Sequence, residues 1–491
     1  MILVVNWPVI LSILTTILIL LYTGTIIFTV IFVILENRDP VKTISWGLVI
    51  ILIPVIGIIA YLLFGQNYRK EKIFSRKGLT DLERISIMSQ NQIIDLPKKK
   101  FFEDENIRNK KNIITLLLRN SKALLTERNR IDILNNGRET FDSILYELDK
   151  ATDHIHMVFF RWESDNIGNR IKDILVRKAK EGIQVRIIFD DVGSWKLSKQ
   201  YIASLKKVGI EAYPFMPVRF PYFTSKMNFR NHRKIVVIDG KIGFMGGLNI
   251  ADKYIHGTKR LGFWRDTHLR LEGEAVHSLQ TIFSIDWYFV SGNIIENQPS
   301  YFPSYKIDEN CLVQITSCGP DSDWSSIMQA FFTAISTAHT KIYISTPYFS
   351  PNESILTALK TVALGGVDVR LILPANSDST ISFWNSNSYI SELLETGIKV
   401  YLYENGFNHA KLLMVDGIFS TVGSANIDYR SFELNFEVNA LIYNAEFTQR
   451  LERTFFDDLS QSRLISPDEW KKRSNKQKLN ESLARVLGPL Y

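Results

Sequence analysis

Two kinds of hydrophobic pattern divide this chain of 491 residues. Residues 9 to 35 and 44 to 64 are nearly uncharged apolar runs, separated by ENRDPVKT. A helix crossing a bilayer needs ~20 apolar residues, so both runs are long enough. The first run is too long for the core of a cleavable leader, lacks a preceding basic stretch, and is followed at once by a second. The pattern predicts a two-helix transmembrane hairpin over residues 1–65.

Residues 66–124 are mixed in charge and read as a linker and membrane-proximal segment with a short helix. Its PKKKFF (97–102) is either a solvated charge run or a basic and aromatic patch for anionic head groups. Such attraction is worth ~1 kcal/mol per basic residue near the surface.

From about residue 125 strand and helix patterns alternate. HIHMVFF, IQVRIIFDD and IEAYPF read as strands, with NRIKDILVRKAKEG and QYIASLKKVG as amphipathic helices between them. The series returns as KIYISTPYF, ESILTALKTVALGG, VDVRLILP, YISELLETG and IKVYLY. Offsets of 187, 184 and 188 residues separate the matching strands. The fold class is therefore α/β, with two tandem α/β repeats, 125–298 and 299–491, joined near NQPSYFPSYK.

Charge and cysteine content change this picture little. A net charge of +7 is modest for the length and does not point to nucleic acid. Basic residues are more numerous after the second apolar run (Arg69, Lys70, Lys72, Arg76, Lys77) than between the runs (Arg38, Lys42). That bias puts the remainder of the chain on the cytoplasmic side. Cys311 and Cys318 fit neither a zinc ribbon nor a disulfide framework, and no histidine has metal-ligand spacing, so no metal is expected.

The chemistry lies in a repeated stretch. NHRKIVVIDG (231–240) returns as NHAKLLMVDG (408–417). His232 and Lys234 point to one face of a strand, as do His409 and Lys411. Asp239-Gly240 and Asp416-Gly417 are two-residue hairpin signals. That turn would set Gly247 opposite His232 and Ser424 opposite His409, with Asn249 and Asn426 just beyond. Imidazole, ammonium and amide converging on one point suit a phosphodiester, whose oxygens they hold and whose transition state they stabilise. Displacement at phosphorus is roughly in line, so attacking and leaving atoms lie on opposite sides. One imidazole cannot serve both sides; two copies about a pseudo-twofold axis can.

These motifs match the pattern H-x-K-x4-D-x6-G-[GS]-x-N, twice, and the chain resembles the phospholipase D superfamily. Within it, the apolar N-terminus, WRDTHLRLEG and GSANIDYRSFELNFEVN make the chain similar to the bacterial cardiolipin synthases along essentially its whole length. The resemblance implies two phospholipase D-like repeats in a multi-pass protein of the bacterial cell membrane. It implies no cofactor, and phosphatidylglycerol and anionic membrane lipid as partners. One histidine, by resemblance His232, would attack phosphatidylglycerol to give a phosphatidyl-histidine; His409 would protonate the leaving glycerol and then deprotonate the acceptor. Lys234, Lys411, Asn249 and Asn426 would grip the phosphate, with Ser424 as an added donor. Asp239 and Asp416 complete the catalytic motifs, and suit stabilising the turn better than acid chemistry. The family places a carboxylate on a following strand to orient each histidine: Glu437 in the second half and Asp266 in the first.

No P-loop and no D-G-x2-A-R signature is present, which argues against a nucleotide or CDP-activated donor. The alternatives are a phospholipase D-type hydrolase, in which water resolves the same intermediate, and a non-catalytic membrane tether binding anionic lipid. Two flanking stretches face the lipid question. PVRFPYFTSKMNFRNHRK (217–234) has five basic residues, four aromatics and no acid, and suggests an access lip. The tail from Ser466 opens with a capping box and reads as a basic helix packed on the catalytic body, with apolar spacing at Leu479, Leu483, Val486 and Leu487.

Overall fold

Strand pairing in the computed structural model, which describes residues 7–36, 40–61, 79–218, 228–295, 298–304 and 307–488, repeats itself half by half. The first half contributes β1 (Leu125–Asn135), β2 (His154–Phe159), β3 (Gln184–Asp190), β4 (Glu211–Phe215), β5 (Ile235–Ile238), β6 (Ile242–Gly246) and β7 (Thr267–Gly273). The second contributes β8 (Asn310–Cys318), β9 (Lys341–Ser345), β10 (Asp368–Pro374), β11 (Lys399–Tyr403), β12 (Leu412–Val415), β13 (Phe419–Gly423), β14 (Glu437–Tyr443) and β15 (Ser462–Leu464). Hydrogen-bonded order is β4-β3-β2-β5-β6-β7-β1 in one half and β11-β10-β9-β12-β13-β14-β8 in the other. Antiparallel β1 and β8 join them, so the pseudo-dyad passes between these two strands.

β2, β3 and β4 run parallel, as do β9, β10 and β11. Every residue of β2 is buried, as parallel strands covered on both faces require. One apolar core cluster draws on both halves, with Ile131, Val158 and Phe283 packed in the same network as Val313, Val438 and Phe455. The two repeats are thus one folding unit around a shared interface.

The apolar N-terminus differs from the expected hairpin. α1 (Trp7–Glu36) is long and apolar enough to cross a membrane. The second run is broken into α2 (Pro40–Leu52) and α3 (Pro54–Ala60). Pro54 supplies no N–H, and Ile53 before it leaves helical geometry at φ −136° and ψ 69°. α3 folds back on α2: a Cβ on Gly57 would lie 2.7 Å from the Val49 carbonyl oxygen, and the Trp46 and Tyr61 rings meet at 5.4 Å. With 13 residues, α2 reaches only ~20 Å of a ~30 Å hydrocarbon core. The residues that carried the charge bias, Arg38 and 69–77, lie outside the described residues.

Residues 79–120 are more than a linker. α4 (Leu79–Asp95) and α5 (Lys111–Asn120) pack on the second half, with Ile113, Ile114, Leu117 and Leu118 buried in its core. Gln92 exchanges two 2.9 Å hydrogen bonds with the Leu125 backbone. The phenylalanines of PKKKFF pack against this core, while Lys98 and Lys99 pair with Asp95 and Glu127. The C-terminal helix Asn475–Leu487 lies on the catalytic body, but through Glu481, Ala484 and Arg485; Leu479, Leu483 and Val486 face outward.

Candidate active site

Each motif histidine is stitched by backbone to the opposite half. The His232 N–H donates to the Phe436 carbonyl at 2.9 Å, and the Phe436 N–H to the Arg230 carbonyl at 2.9 Å. The His409 N–H donates to the Arg265 carbonyl at 2.7 Å, where Phe407 and Asn408 pair in parallel with Trp264 and Arg265. Phe436 and Arg265 immediately precede Glu437 and Asp266. The backbone ladder therefore delivers each carboxylate to the histidine of the other repeat.

That crossing is the main departure from expectation. Glu437 Oε1 lies 3.2 Å from His232 Nδ1, and Asp266 Oδ2 lies 2.7 Å from His409 Nδ1. Both carboxylates are fully buried. With Nδ1 so engaged, Nε2 of each ring is the atom left for chemistry. Asn435 adds its amide within 3.1 Å of His232 Nδ1 and 3.2 Å of Glu437 Oε1. Phe160 packs on the His232 ring at 4.3 Å, and Trp264 on the His409 ring at 5.1 Å.

The lysines sit inward of the histidines. Lys234 donates to the His232 carbonyl, and Lys411 to the His409 carbonyl at 2.5 Å, with His409 Nδ1 3.0 Å away. Each lysine feels the other repeat's carboxylate, and Lys234 feels the charge of Lys411, so the two motifs share one electrostatic site. Burial pushes both ammonium groups down to about 8. It pushes both imidazoles down to about 4, further lowered at His409 by Lys411 and partly offset at each by its carboxylate. Burial alone would raise Glu437 and Asp266; the facing histidines and lysines hold both below the usual carboxylate range.

Both motif asparagines are buried. Asn249 accepts from the Arg161 N–H at 3.0 Å, which fixes its carbonyl and leaves its amide edge; its Nδ2 lies 3.3 Å from the Tyr254 hydroxyl. The Asn426 backbone N–H is held by Ser431 at 3.1 Å.

Three motif residues stand elsewhere. The hairpin turns hold three residues rather than two, since Ile238 pairs with Ile242 and Val415 with Phe419. The register therefore slips by one from that expected, and the histidines lie beyond the paired strands. Ser424 turns to the buried acid and donates to Glu437 Oε2. Its counterpart Gly247 has no room for a side chain, because a Cβ would meet Asp266 Oδ1 at 2.1 Å. Asp239 and Asp416 occupy the turns, with φ of 52° and 56°, at the strand end remote from the histidines. Asp239 accepts from the N–H groups of Thr152, Asp153 and His154 at 2.8 to 3.0 Å. Asp416 does the same for His339 and Thr340, and meets Lys110 at 3.0 Å. They fasten the hairpin to the next strand and take no part in the centre.

The stretch 217–234 does not behave as a lip where it is described. Residues 219–227 lie outside the described residues, while Arg230 and Arg233 are buried in ion pairs with Asp190 and Asp286. No group of three His, Cys, Asp or Glu side chains among the described residues is arranged to hold a metal.

Comparison with known proteins gives the lineage. The family model described as cardiolipin synthase, PLD-like domain, matches residues 144–287 and 331–459, and a phospholipase D-nuclease N-terminal model matches 25–66. The chain belongs to the cardiolipin synthase family. It is 43% identical over 474 residues to a cardiolipin synthase of Geobacillus, covering 96% of this chain and 93% of that one. It is 41% identical over 483 residues to that of Listeria welshimeri, covering 98% and 100%. The crystal structure of a Haemophilus influenzae phosphatidylserine synthase has the same fold, at TM-score 0.59 and 14% identity, over 79% of this chain and all of that one. The family and the apolar α1 make this a membrane-associated phosphatidyltransferase.

Sequence reasoning missed Asn435, Arg161, Lys253 and Trp264 around the centre. Aligning the repeats beyond the motifs sets Arg161 against Tyr348 and Lys253 against Arg430, and would have exposed them.

Proposed function

We propose that the protein transfers a phosphatidyl group from one phosphatidylglycerol to another, giving cardiolipin and glycerol. His232 Nε2 attacks phosphorus, the bond to glycerol oxygen breaks, and that oxygen takes a proton from His409. The acceptor hydroxyl then loses its proton to His409, its oxygen bonds to phosphorus, and the P–N bond to His232 breaks. Lys234, Lys411, Asn249 and Asn426 hold the phosphate oxygens, while Glu437 and Asp266 fix the rings. Both imidazoles are neutral in the empty site at neutral pH. An arriving phosphodiester anion favours imidazolium at His409, beside Asp266. The observation that carries this reading is the crossed pairing: two imidazoles from two repeats, each with Nδ1 on a buried carboxylate and Nε2 left for chemistry.

The catalytic repeats lie on the cytoplasmic side by the excess of basic residues after the apolar runs, with α1 spanning the membrane and the folded-back second run in place of the expected second span. Incubating the purified full-length protein with phosphatidylglycerol vesicles tests the activity. Cardiolipin and glycerol in equal amounts are expected; phosphatidic acid alone would make it a hydrolase, and lipid binding without turnover a tether.

A further inference from the structure

The two sides of the cleft differ in one respect that the transfer reaction does not explain. Lys253 makes no ion pair or hydrogen bond among the described residues, and its ammonium lies over the rings of Tyr254 and Trp264 at 4.9 and 5.0 Å. Trp264 in turn packs on His409. Burial holds Lys253 down at about 8, and among charges Arg161 weighs most on it. Arg161 Nε is buried without a hydrogen-bond partner, and its backbone N–H holds Asn249.

At the equivalent positions in the other repeat, the groups are already engaged. Arg430 donates to Asn228 Oδ1 and carbonyl at 2.8 and 2.6 Å, and the Tyr348 hydroxyl is bonded to Asp378 at 2.5 Å. The acids near Lys253 are also occupied: Glu163 lies 3.2 Å from Lys196 and 3.7 Å from Arg161, and Asp378 takes Tyr348. Lys253, without an ion pair and separated from His409 by the Trp264 ring, and Arg161, whose charge acts on it, thus have no uncommitted counterpart in the other repeat. Two half-buried cations that weigh on each other, only one of them with an ion pair of its own, are matched by an anionic ligand when one binds.

We propose that Arg161 and Lys253 form a second phosphate subsite, which holds the phosphodiester of the acceptor lipid while its glycerol hydroxyl faces the phosphatidyl group on His232. The proposal rests on the reaction described above. An in-line mechanism puts leaving glycerol and incoming glycerol on the same side, opposite the nucleophile. If His232 attacks, that side belongs to His409. The acceptor's own phosphate must then lie one glycerol length beyond His409, on the side where the Trp264 ring stands between it and Lys253. The subsite favours a glycerol that carries a phosphate over water or free glycerol, which have no charge to offer.

Exchange of labelled free glycerol into phosphatidylglycerol uses the same phosphatidyl-enzyme but an acceptor without phosphate. In full-length Arg161→Gln/Lys253→Gln protein, the ratio of cardiolipin formation to glycerol exchange should fall about tenfold or more, the scale of losing charge-assisted hydrogen bonds. Both rates come from one sample, so any unfolded fraction cancels. Lys253→Arg should restore most of the ratio. An unchanged ratio, with both rates falling together or neither falling, overturns the subsite. Wild-type protein that catalyses neither reaction overturns the parent reading and the subsite with it.

Discussion

The two ends of the active site are built to one plan with different parts. At the His232 end, the longer Glu437 reaches the ring at 3.2 Å and is steadied by Ser424 and Asn435. At the His409 end, the shorter Asp266 approaches to 2.7 Å, seated in space that Gly247 leaves empty and tied to the Thr267 N–H at 2.9 Å. Lys411 also touches His409 Nδ1, whereas Lys234 has no such contact with His232. The difference teaches that the repeats have specialised: one end holds its ring in a hydrogen-bonded network, the other presses an acid close to the ring. This suits a nucleophile at the first and a proton carrier at the second.

The largest effects should come from breaking each histidine and carboxylate pair. His232→Ala and His409→Ala should each lower transfer by at least ~10³-fold, with the double variant little worse, as for residues that act as a unit. Rapid quenching with labelled phosphatidylglycerol should capture phosphatidyl-enzyme in the wild-type protein and none in His232→Ala; capture in His232→Ala would exchange the two roles. Glu437→Gln should add little to His232→Ala, and Asp266→Asn little to His409→Ala. Coupling within a repeat instead would break the crossed arrangement.

Effects of intermediate size should separate Gly247 from Ser424. Gly247→Ala forces a methyl group onto Asp266, so strain of ~1–3 kcal/mol and loss of the acid's position are expected. Ser424→Ala removes the bond to Glu437, worth ~1.5–3 kcal/mol for a charged acceptor, and the one accepted from the Val438 N–H, yet adds no clash at the acid and should lower turnover less. Thermal melting and kcat on both variants test this; equal damage would mean that the two ends are interchangeable.

The smallest effect is the alkaline limb of kcat/KM. Lys234 and Lys411 are held at about 8, so raising pH through that value removes charge from the phosphate site and activity falls. Lowering pH protonates His232 and removes the nucleophile, so activity falls on that side too. A profile still rising above pH 9 would show that the lysine charges are dispensable.

Much of this was written in the sequence. The duplication, the strands from β2 to β4 and β9 to β11, and the eight motif positions all follow from local spacing. Register was missed by one because Asp239 and Gly240 both take positive φ yet Lys241 still belongs to the loop. The crossing of Glu437 and Asp266 was out of reach, because it depends on how two halves dock and not on any local pattern. Lys110 on Asp416, a contact across 306 residues, is invisible for the same reason. Pro54 was legible, and a proline in the middle of an apolar run should have argued against one unbroken span.

The crossed carboxylates also bear on biosynthesis. A chain emerging from the ribosome folds its N-terminal parts first. While Glu437 is still untranslated, His232 lacks both its acid and the Phe436 carbonyl that holds its backbone. His409 lacks its place against Asp266 until the second repeat docks. The nascent chain therefore has neither ring seated, and the paired centre forms only when the last strands of the sheet are added.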